Sequence, residues 1–198
     1  MENNVFNQIA NGYDTKERKE LARIIVGAIK AELKESKDKS LLDYGCGTGL
    51  VGLELAPLVH KIILMDSAEK MLEIVREKVA RADIKNAKVI RSDFMEEGSG
   101  VRADVIVASL VLLHVSDPEI LFKNFYSSLN TNGKLIVVDF DKNENVSHPK
   151  VHNGFVQEDL RSKLSGAGFT ETKTRTFHHG KNIFMNQDAS LLISVSTK

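Results

Sequence analysis

The chain has 198 residues, of which 42% are hydrophobic and 27% are charged. A chain of this length can bury enough surface to form one core, so we expect a single domain. Lys and Arg together number 27 and Asp and Glu together number 27, which excludes the overall basic excess typical of nucleic-acid-binding proteins. The single cysteine, Cys46, excludes an intrachain disulfide and a zinc site built from cysteines alone.

The N-terminus has neither the basic start nor the apolar run of a secretory signal. No apolar stretch reaches the roughly 20 residues that span a bilayer. We therefore expect a cytoplasmic protein that contacts neither membrane nor nucleic acid. The sequence does not determine the oligomeric state.

Short apolar runs alternate with amphipathic segments along the chain. The runs predict strands at 40–44, 61–65, 88–91, 103–108, 134–140, 169–177 and 189–197. Helical spacing of apolar residues predicts helices at 17–34, after Ser67 as a capping residue, after the pair Asp117-Pro118, and at 157–167.

Apolar strands that alternate with helices predict an α/β fold with a three-layer, Rossmann-like, seven-stranded sheet that is mainly parallel. Residues 178–188 are too few for a parallel crossover, so the last strand should be antiparallel to its predecessor. Open sheets of this kind bind ligands at the carboxyl ends of their strands. We expect one domain over 1–198, with a helical N-terminal lid at 1–35, a cofactor-binding half at 40–140 and a substrate-side half at 141–198.

The strongest signal follows the first predicted strand, where Gly45, Gly47 and Gly49 alternate with other residues. Glycines permit positive φ and let a ligand approach the backbone closely. Asp66 ends the second predicted strand, where a carboxylate can accept both hydroxyls of a ribose. The two features together predict a nucleoside-containing cofactor.

Two kinds of cofactor fit the glycines. Gly47, Gly49 and Gly52 match the G-x-G-x-x-G pattern of dinucleotide-binding proteins, which keeps a nicotinamide-dependent oxidoreductase as an alternative. Asp43, however, lies two residues before the first glycine, and its negative charge would repel a pyrophosphate. That charge suits a cationic amino group, such as the one S-adenosylmethionine carries. Charge complementarity therefore favours S-adenosylmethionine as the cofactor.

The sequence resembles the class I S-adenosylmethionine-dependent methyltransferases over roughly residues 5–140. The resemblance is carried, in order, by Leu41-Leu42-Asp43-Tyr44-Gly45-Cys46-Gly47-Thr48-Gly49, Leu64-Met65-Asp66-Ser67 with Met71-Leu72, Arg91-Ser92-Asp93-Phe94, residues 103–114, and Leu129 with Asn132-Gly133-Lys134-Leu135. The N-terminal residues Phe6, Ile9, Ala10 and Tyr13-Asp14 are similar to the opening of the ubiquinone/menaquinone-type members, which act on small molecules.

The resemblance implies a set of cofactor-binding residues: Tyr13, Asp43, Gly45, Cys46, Gly47, Gly49, Asp66, Ser67, Met71, Ser92, Asp93, Phe94, Ser109 and Leu110. It places Asp43 near the amino group, Asp66 on the ribose and Asp93 on the adenine amine.

Methyl transfer needs a general base only when the acceptor arrives protonated. His114 and His152, after the fourth and fifth predicted strands, are the candidate bases. His178 and His179 are expected in a loop after the sixth strand. No metal site is predicted. The predicted function is methyl transfer to a small-molecule acceptor. The alternatives are the oxidoreductase, a methyltransferase acting on RNA or protein, and a binding protein without catalysis.

Overall fold

The computed structural model describes residues 3–93, 100–149 and 151–198, with side chains from Val5 onward. The chain divides into two compact units, Met1–Ser99 and Gly100–Lys198. The predicted division into a cofactor-binding half at 40–140 and a substrate-side half at 141–198 stays a prediction.

The described residues form six α-helices and seven strands. The helices are α1 (Asn3–Ile9), α2 (Lys16–Glu32), α3 (Gly52–Leu55), α4 (Glu69–Arg81), α5 (Pro118–Ser128) and α6 (Gln157–Gly166). The strands are β1 (Ser40–Tyr44), β2 (Lys61–Asp66), β3 (Ala87–Arg91), β4 (Ala103–Ser109), β5 (Leu129–Phe140), β6 (Thr170–Phe184) and β7 (Gln187–Thr197).

The first unit is built on three parallel strands in the order β3-β2-β1. Leu41 and Leu42 of β1 and Leu64 of β2 are fully buried, because both faces of these strands are covered. Each such leucine stabilises the fold by about 2 kcal/mol. The register pairs Tyr44 with Met65, so β1 and β2 end side by side.

The second unit holds the strands in the order β4-β5-β7-β6. Strand β4 pairs with β5 in parallel, and β7 runs antiparallel to both β5 and β6. The predicted fold class is confirmed: the seven strands of the described residues form a mainly parallel sheet whose last strand is antiparallel.

The predicted loop at 178–188 is wrong, because these residues form a hairpin. β6 continues to Phe184 and β7 begins at Gln187. Met185 and Asn186, which join them, have φ of 51° and 60°. Two successive positive φ angles make the tight turn that matches strand twist. His178 and His179 therefore lie within β6, opposite Leu191 and Ser190.

The predicted capping of α4 by Ser67 is also wrong. The N-cap position is Ala68, and the backbone N–H of Lys70 is instead bonded by Asn7 Oδ1 at 2.9 Å. The cap thus comes from α1, which packs on α4. The predicted role of the N-terminal segment as a lid stays a prediction.

Replacing Asn7 with alanine should lower the free energy of unfolding by about 1 kcal/mol, since the Lys70 amide loses its acceptor. Urea denaturation followed by circular dichroism measures the change. Asn7→Asp keeps an acceptor oxygen at the same place and should stay near the wild-type value. Equal stabilities for the alanine and aspartate variants would contradict the capping role.

Candidate functional site

The glycine loop leaves β1 with three glycines in the left-handed region. Gly45, Gly47 and Gly49 have φ of 69°, 54° and 81°. Side chains other than glycine rarely adopt these angles, so the alternation of glycines is a backbone requirement. The Cys46 N–H donates to the Met65 carbonyl at 2.9 Å, which fixes the start of the loop against β2.

The Asp66 carboxylate, at the end of β2, is hydrogen-bonded to the glycine loop. Oδ2 accepts the Gly47 N–H at 2.8 Å and Oδ1 accepts the Ala68 N–H at 2.9 Å. Burial raises the pKa of Asp66, against the opposing effect of these backbone hydrogen bonds. Each oxygen keeps a further lone pair. The half-buried carboxylate can therefore still accept two ligand hydroxyls.

The Asp43 side chain is buried beneath the loop, with 1% of its surface exposed. Neither oxygen has a hydrogen-bond partner of good geometry among the described residues. Burial, and then the charge of Asp66, raise the pKa of Asp43 to about 7, although the Gly52 backbone opposes the shift. A Cβ on Gly52 would lie 2.3 Å from Asp43 Oδ2, so this glycine is required by the carboxylate.

Tyr13 lies beside the glycine loop. A Cβ built on Gly47 would be 3.8 Å from Cε1 of its half-buried ring, so ring and loop are adjacent. The Arg18 guanidinium lies 4.2 Å from the ring centroid and also donates to the Tyr13 carbonyl at 3.0 Å. Burial raises the pKa of the Tyr13 phenol, which stays protonated as a hydrogen-bond donor.

Asp93, after β3, is 9% exposed and accepts a hydrogen bond from the Tyr44 hydroxyl at 2.7 Å. The buried tyrosine thus fixes the direction of this carboxylate. Ser92 continues the strand, with its N–H donating to the Asp66 carbonyl at 3.1 Å. The predicted adenine contact of Phe94 lies outside the described residues.

The remaining predicted cofactor residues of the first unit are mostly enclosed. Met71 is 1% exposed and packs in a cluster with Ala10 and Ala68. Ser67 is 8% exposed and its carbonyl accepts from Arg91 Nε at 3.4 Å. Burial raises the pKa of the Cys46 thiol, so this residue is a packing group rather than a nucleophile.

In the second unit, Ser109 ends β4 opposite Val138. Leu110 follows it with φ of 54°, and its N–H donates to the Val138 carbonyl at 2.8 Å. A leucine in this region is strained by about 1–2 kcal/mol. Strained backbone of this kind is found preferentially at functional sites, so the carboxyl end of β4 is a candidate part of one.

The two candidate bases meet at one 3-10 turn, Leu112–His114. His114 belongs to the turn, and the His152 N–H donates to the Leu113 carbonyl at 2.8 Å. Burial, and then the charge of His148, lower the pKa of His114, which is therefore neutral at pH 7. The exposed His152 ring stacks on Phe155 at 4.8 Å.

Asp139 supports the same turn, a role that sequence reasoning missed. This carboxylate is fully buried in β5 and accepts the N–H groups of Phe140 at 2.8 Å and Leu113 at 3.3 Å. Burial raises the pKa of Asp139 to about 7. The sequence signal for it was one acid within the apolar run from Leu135 to Phe140.

The first unit contains a set of polar contacts that the sequence did not predict, formed by Asp14, Thr48 and Lys78. The Lys78 ammonium donates to Asp14 Oδ2 and to the Thr48 carbonyl, each at 2.7 Å. The Thr48 hydroxyl donates to Asp14 Oδ1. We call these three residues the loop clamp, because Thr48 belongs to the glycine loop.

Across 3–93, 100–149 and 151–198, no group of three or more His, Cys, Asp or Glu side chains is placed to hold a metal ion. In the same part of the chain, no helix combines the length and apolarity needed to cross a membrane.

Comparison with known proteins identifies one family. The family model described as a methyltransferase domain matches residues 13–172. A malonyl-[acyl-carrier protein] O-methyltransferase of Bacillus cereus is 27% identical over 139 residues, which cover 68% of this chain and 51% of the relative. Ribosomal RNA small subunit methyltransferase G of Thermotoga petrophila is 31% identical over 113 residues, covering 52% and 46%. This chain spans about half the length of these curated relatives.

Among solved structures, a SAM-dependent methyltransferase from Aquifex aeolicus superimposes with a TM-score of 0.72 at 18% identity. The match covers 96% of this chain and 97% of the other. Likeness at this identity establishes the fold.

Replacing Asp43 with asparagine should make the protein more stable than the wild type at pH 8, by at least about 1 kcal/mol or about 3 °C in Tm. The folded pKa, about 7, exceeds the value of 3.8 for an exposed aspartate. The folded state therefore holds more protons between pH 4 and 7, so wild-type stability from this group falls as pH rises through that window. Thermal unfolding at pH 5 and pH 8 measures how the stability of the wild type and of Asp43→Asn changes with pH.

Asp139 contributes equally to both proteins, so the difference between their slopes reports Asp43 alone. Glu77→Gln, which neutralises an exposed carboxylate of α4, is the matched control and should leave the slope unchanged. If the stability of the wild type and of Asp43→Asn changed with pH in parallel, the pKa of Asp43 would not be raised in the folded state.

Proposed function

The chain belongs to the methyltransferase domain family, and on this basis we propose that it transfers the methyl group of S-adenosylmethionine to a small-molecule acceptor. The family confirms the resemblance and the enzyme class predicted from the sequence. The acceptor and the assignment of individual residues to the cofactor are our proposal.

The observation that carries the proposal is the pair of carboxylates around the glycine loop. Asp43 is a buried acid without a hydrogen-bond partner of good geometry among the described residues, and a cationic amino group would compensate its charge. Asp66 is oriented by two backbone N–H groups and has acceptor capacity left for a ribose diol. These residues fit a ligand with an ammonium group at one end and a ribose further along.

The pair also weighs against a nicotinamide dinucleotide. Gly52, the third glycine of the dinucleotide pattern, is accounted for by its contact with Asp43. The pattern therefore does not require a pyrophosphate near the loop. A buried acid at this place would repel one.

Asp43 and Asp66 would hold S-adenosylmethionine, which would supply a methyl carbon activated by its sulfonium: an acceptor lone pair would form a bond to that carbon as the S–CH3 bond breaks, with S-adenosylhomocysteine as the leaving group. The chain's own residues then have three tasks: binding, orientation and proton removal. Asp43 and Asp66 bind and orient, and Asp93, held by Tyr44, would receive the adenine amine. His114 Nδ1 or Nε2 would take the proton of an acceptor that arrives protonated, since burial keeps the ring neutral.

A small-molecule acceptor is favoured by the charge balance of 27 basic and 27 acidic residues. A nucleic acid substrate would need cationic surface to neutralise phosphates. The relatives are named for different acceptors: the Bacillus cereus protein is a malonyl-[acyl-carrier protein] O-methyltransferase, and the Thermotoga petrophila protein is a ribosomal RNA methyltransferase. RNA is therefore the acceptor class that the labelling experiment described below must distinguish from a small molecule.

Replacing Asp66 with alanine should weaken binding of S-adenosylhomocysteine at least about 100-fold, because the loss includes two charge-assisted hydrogen bonds to hydroxyls. Isothermal titration calorimetry measures the Kd. Glu77→Ala removes an exposed carboxylate from the same unit and should bind like the wild type.

Two results would overturn the proposed cofactor. One is absence of binding of S-adenosylhomocysteine to the wild-type protein at millimolar concentration. The other is saturable binding of reduced nicotinamide dinucleotide, which would favour the oxidoreductase.

The acceptor class is tested by supplying methyl-labelled S-adenosylmethionine with three fractions of a cell extract: metabolites below about 3 kDa, total RNA and total protein. We expect label in the metabolite fraction, with transfer that depends on Asp66. Label confined to RNA or to protein would refute a small-molecule acceptor and leave the methyltransferase assignment intact.

A further inference from the structure

We propose that the loop clamp, Asp14, Thr48 and Lys78, positions the glycine loop and Tyr13 for the cofactor, so that Asp14 and Lys78 set cofactor affinity without touching the ligand. This inference rests on the proposed function, because the affinity concerned is that for S-adenosylmethionine and its product.

The clamp is a closed set of polar contacts. The Lys78 ammonium donates hydrogen bonds to Asp14 Oδ2 and to the Thr48 carbonyl, at 2.7 Å each. The Thr48 hydroxyl donates to the other carboxylate oxygen, Asp14 Oδ1. Hydrogen bonds with ionised partners are about twice as strong as neutral ones. Thr48 is 1% exposed, and the side chains of Lys78 and Asp14 are 19% and 25% exposed. Limited solvent access strengthens the contacts further.

The charges of the clamp are matched. Burial disfavours the ionised form of Asp14, but the hydrogen bonds from Lys78 and Thr48 outweigh it and lower the pKa of Asp14. The carboxylate is therefore ionised at neutral pH. Lys19 adds attraction in the same direction.

The clamp joins three parts of the first unit. Asp14 follows α1 in the chain, Thr48 lies between the second and third loop glycines, and Lys78 belongs to the last turns of α4. Residues 34 and 30 positions from Thr48 thus converge on it. The glycines give the loop its shape, but glycine restricts the backbone less than any other residue does. A cation bound to the Thr48 carbonyl restricts that freedom.

Tyr13 is adjacent to Asp14, so the clamp also sets the place of its ring. The ring lies beside Gly47, and its phenol feels the charge of Asp66. Contact with Gly47 on one side and the clamp on the other holds the loop between two fixed points. Asp14 and Lys78 are positioning residues in this scheme, because they act through Thr48 and Tyr13.

The test compares Lys78→Met, Asp14→Asn and Thr48→Val with the wild type. Each should weaken binding of S-adenosylhomocysteine about tenfold, measured by calorimetry at a temperature where all variants are folded. Thr48→Ser keeps the hydroxyl and should bind like the wild type. Lys85→Met removes an exposed ammonium that pairs with Asp83, and it controls for charge alone.

A double-mutant cycle separates positioning from general stability. The Asp14→Asn and Lys78→Met changes combined should weaken binding no more than either alone, since both break one network. Additive losses, or wild-type affinity in Lys78→Met and Thr48→Val, would overturn the inference while the proposed function stands.

Hydrogen exchange gives a readout that needs no cofactor. The amides of residues 46–50 should exchange faster in Lys78→Met and Asp14→Asn than in the wild type or Lys85→Met. Unchanged exchange would show that the clamp does not hold the loop. A wild-type protein that fails to bind S-adenosylhomocysteine, with exchange responding as expected, would overturn the function and the affinity claim but retain the clamp as a support of the loop.

Discussion

The site depends on one constraint: a buried carboxylate under a loop made of glycines. Asp43 lies against Gly52 so closely that any side chain there would collide with it, and the helix that follows the loop must begin with glycine. The loop, in turn, is tied to β2 by the Asp66 carboxylate and the Cys46 amide. The two acids thus shape the backbone and provide the negative charge of the same site.

The arrangement separates the tasks of the two acids by environment. Asp43 has no hydrogen-bond partner of good geometry in the described part of the chain and its pKa rises to about 7, whereas Asp66 receives two backbone N–H groups and keeps part of its surface exposed. A charge without partners responds strongly to an incoming cation, since little else compensates it. A charge that is already oriented can accept hydroxyls with little rearrangement. The environments therefore suit an ammonium group and a ribose, respectively.

Sequence patterns predicted the strand β1 to the residue and the glycine loop with both acids, because burial and glycine content are local properties. They could not predict contacts between distant residues. Asn7 caps a helix 63 residues away, and Tyr44 orients an acid 49 residues away. The antiparallel pairing of β6 and β7 was predicted, but the tight turn between them was missed because it has Met185 rather than glycine at positive φ. Local sequence propensity does not predict features that are stabilised by tertiary contacts.

In each unit, residues that are unfavourable to folding lie at or near the carboxyl ends of strands. Asp43 is a buried charge, Leu110 has a left-handed backbone, and Asp139 is an enclosed acid beneath the turn that carries His114. Each destabilises the folded state by an amount comparable to a well-packed leucine side chain. The apolar residues that precede the two acids in their strands, among them Leu41, Leu42, Ile136 and Val137, are fully buried. Stability alone would favour other residues at these positions, so their presence at the carboxyl ends supports the proposal that these ends form the binding site.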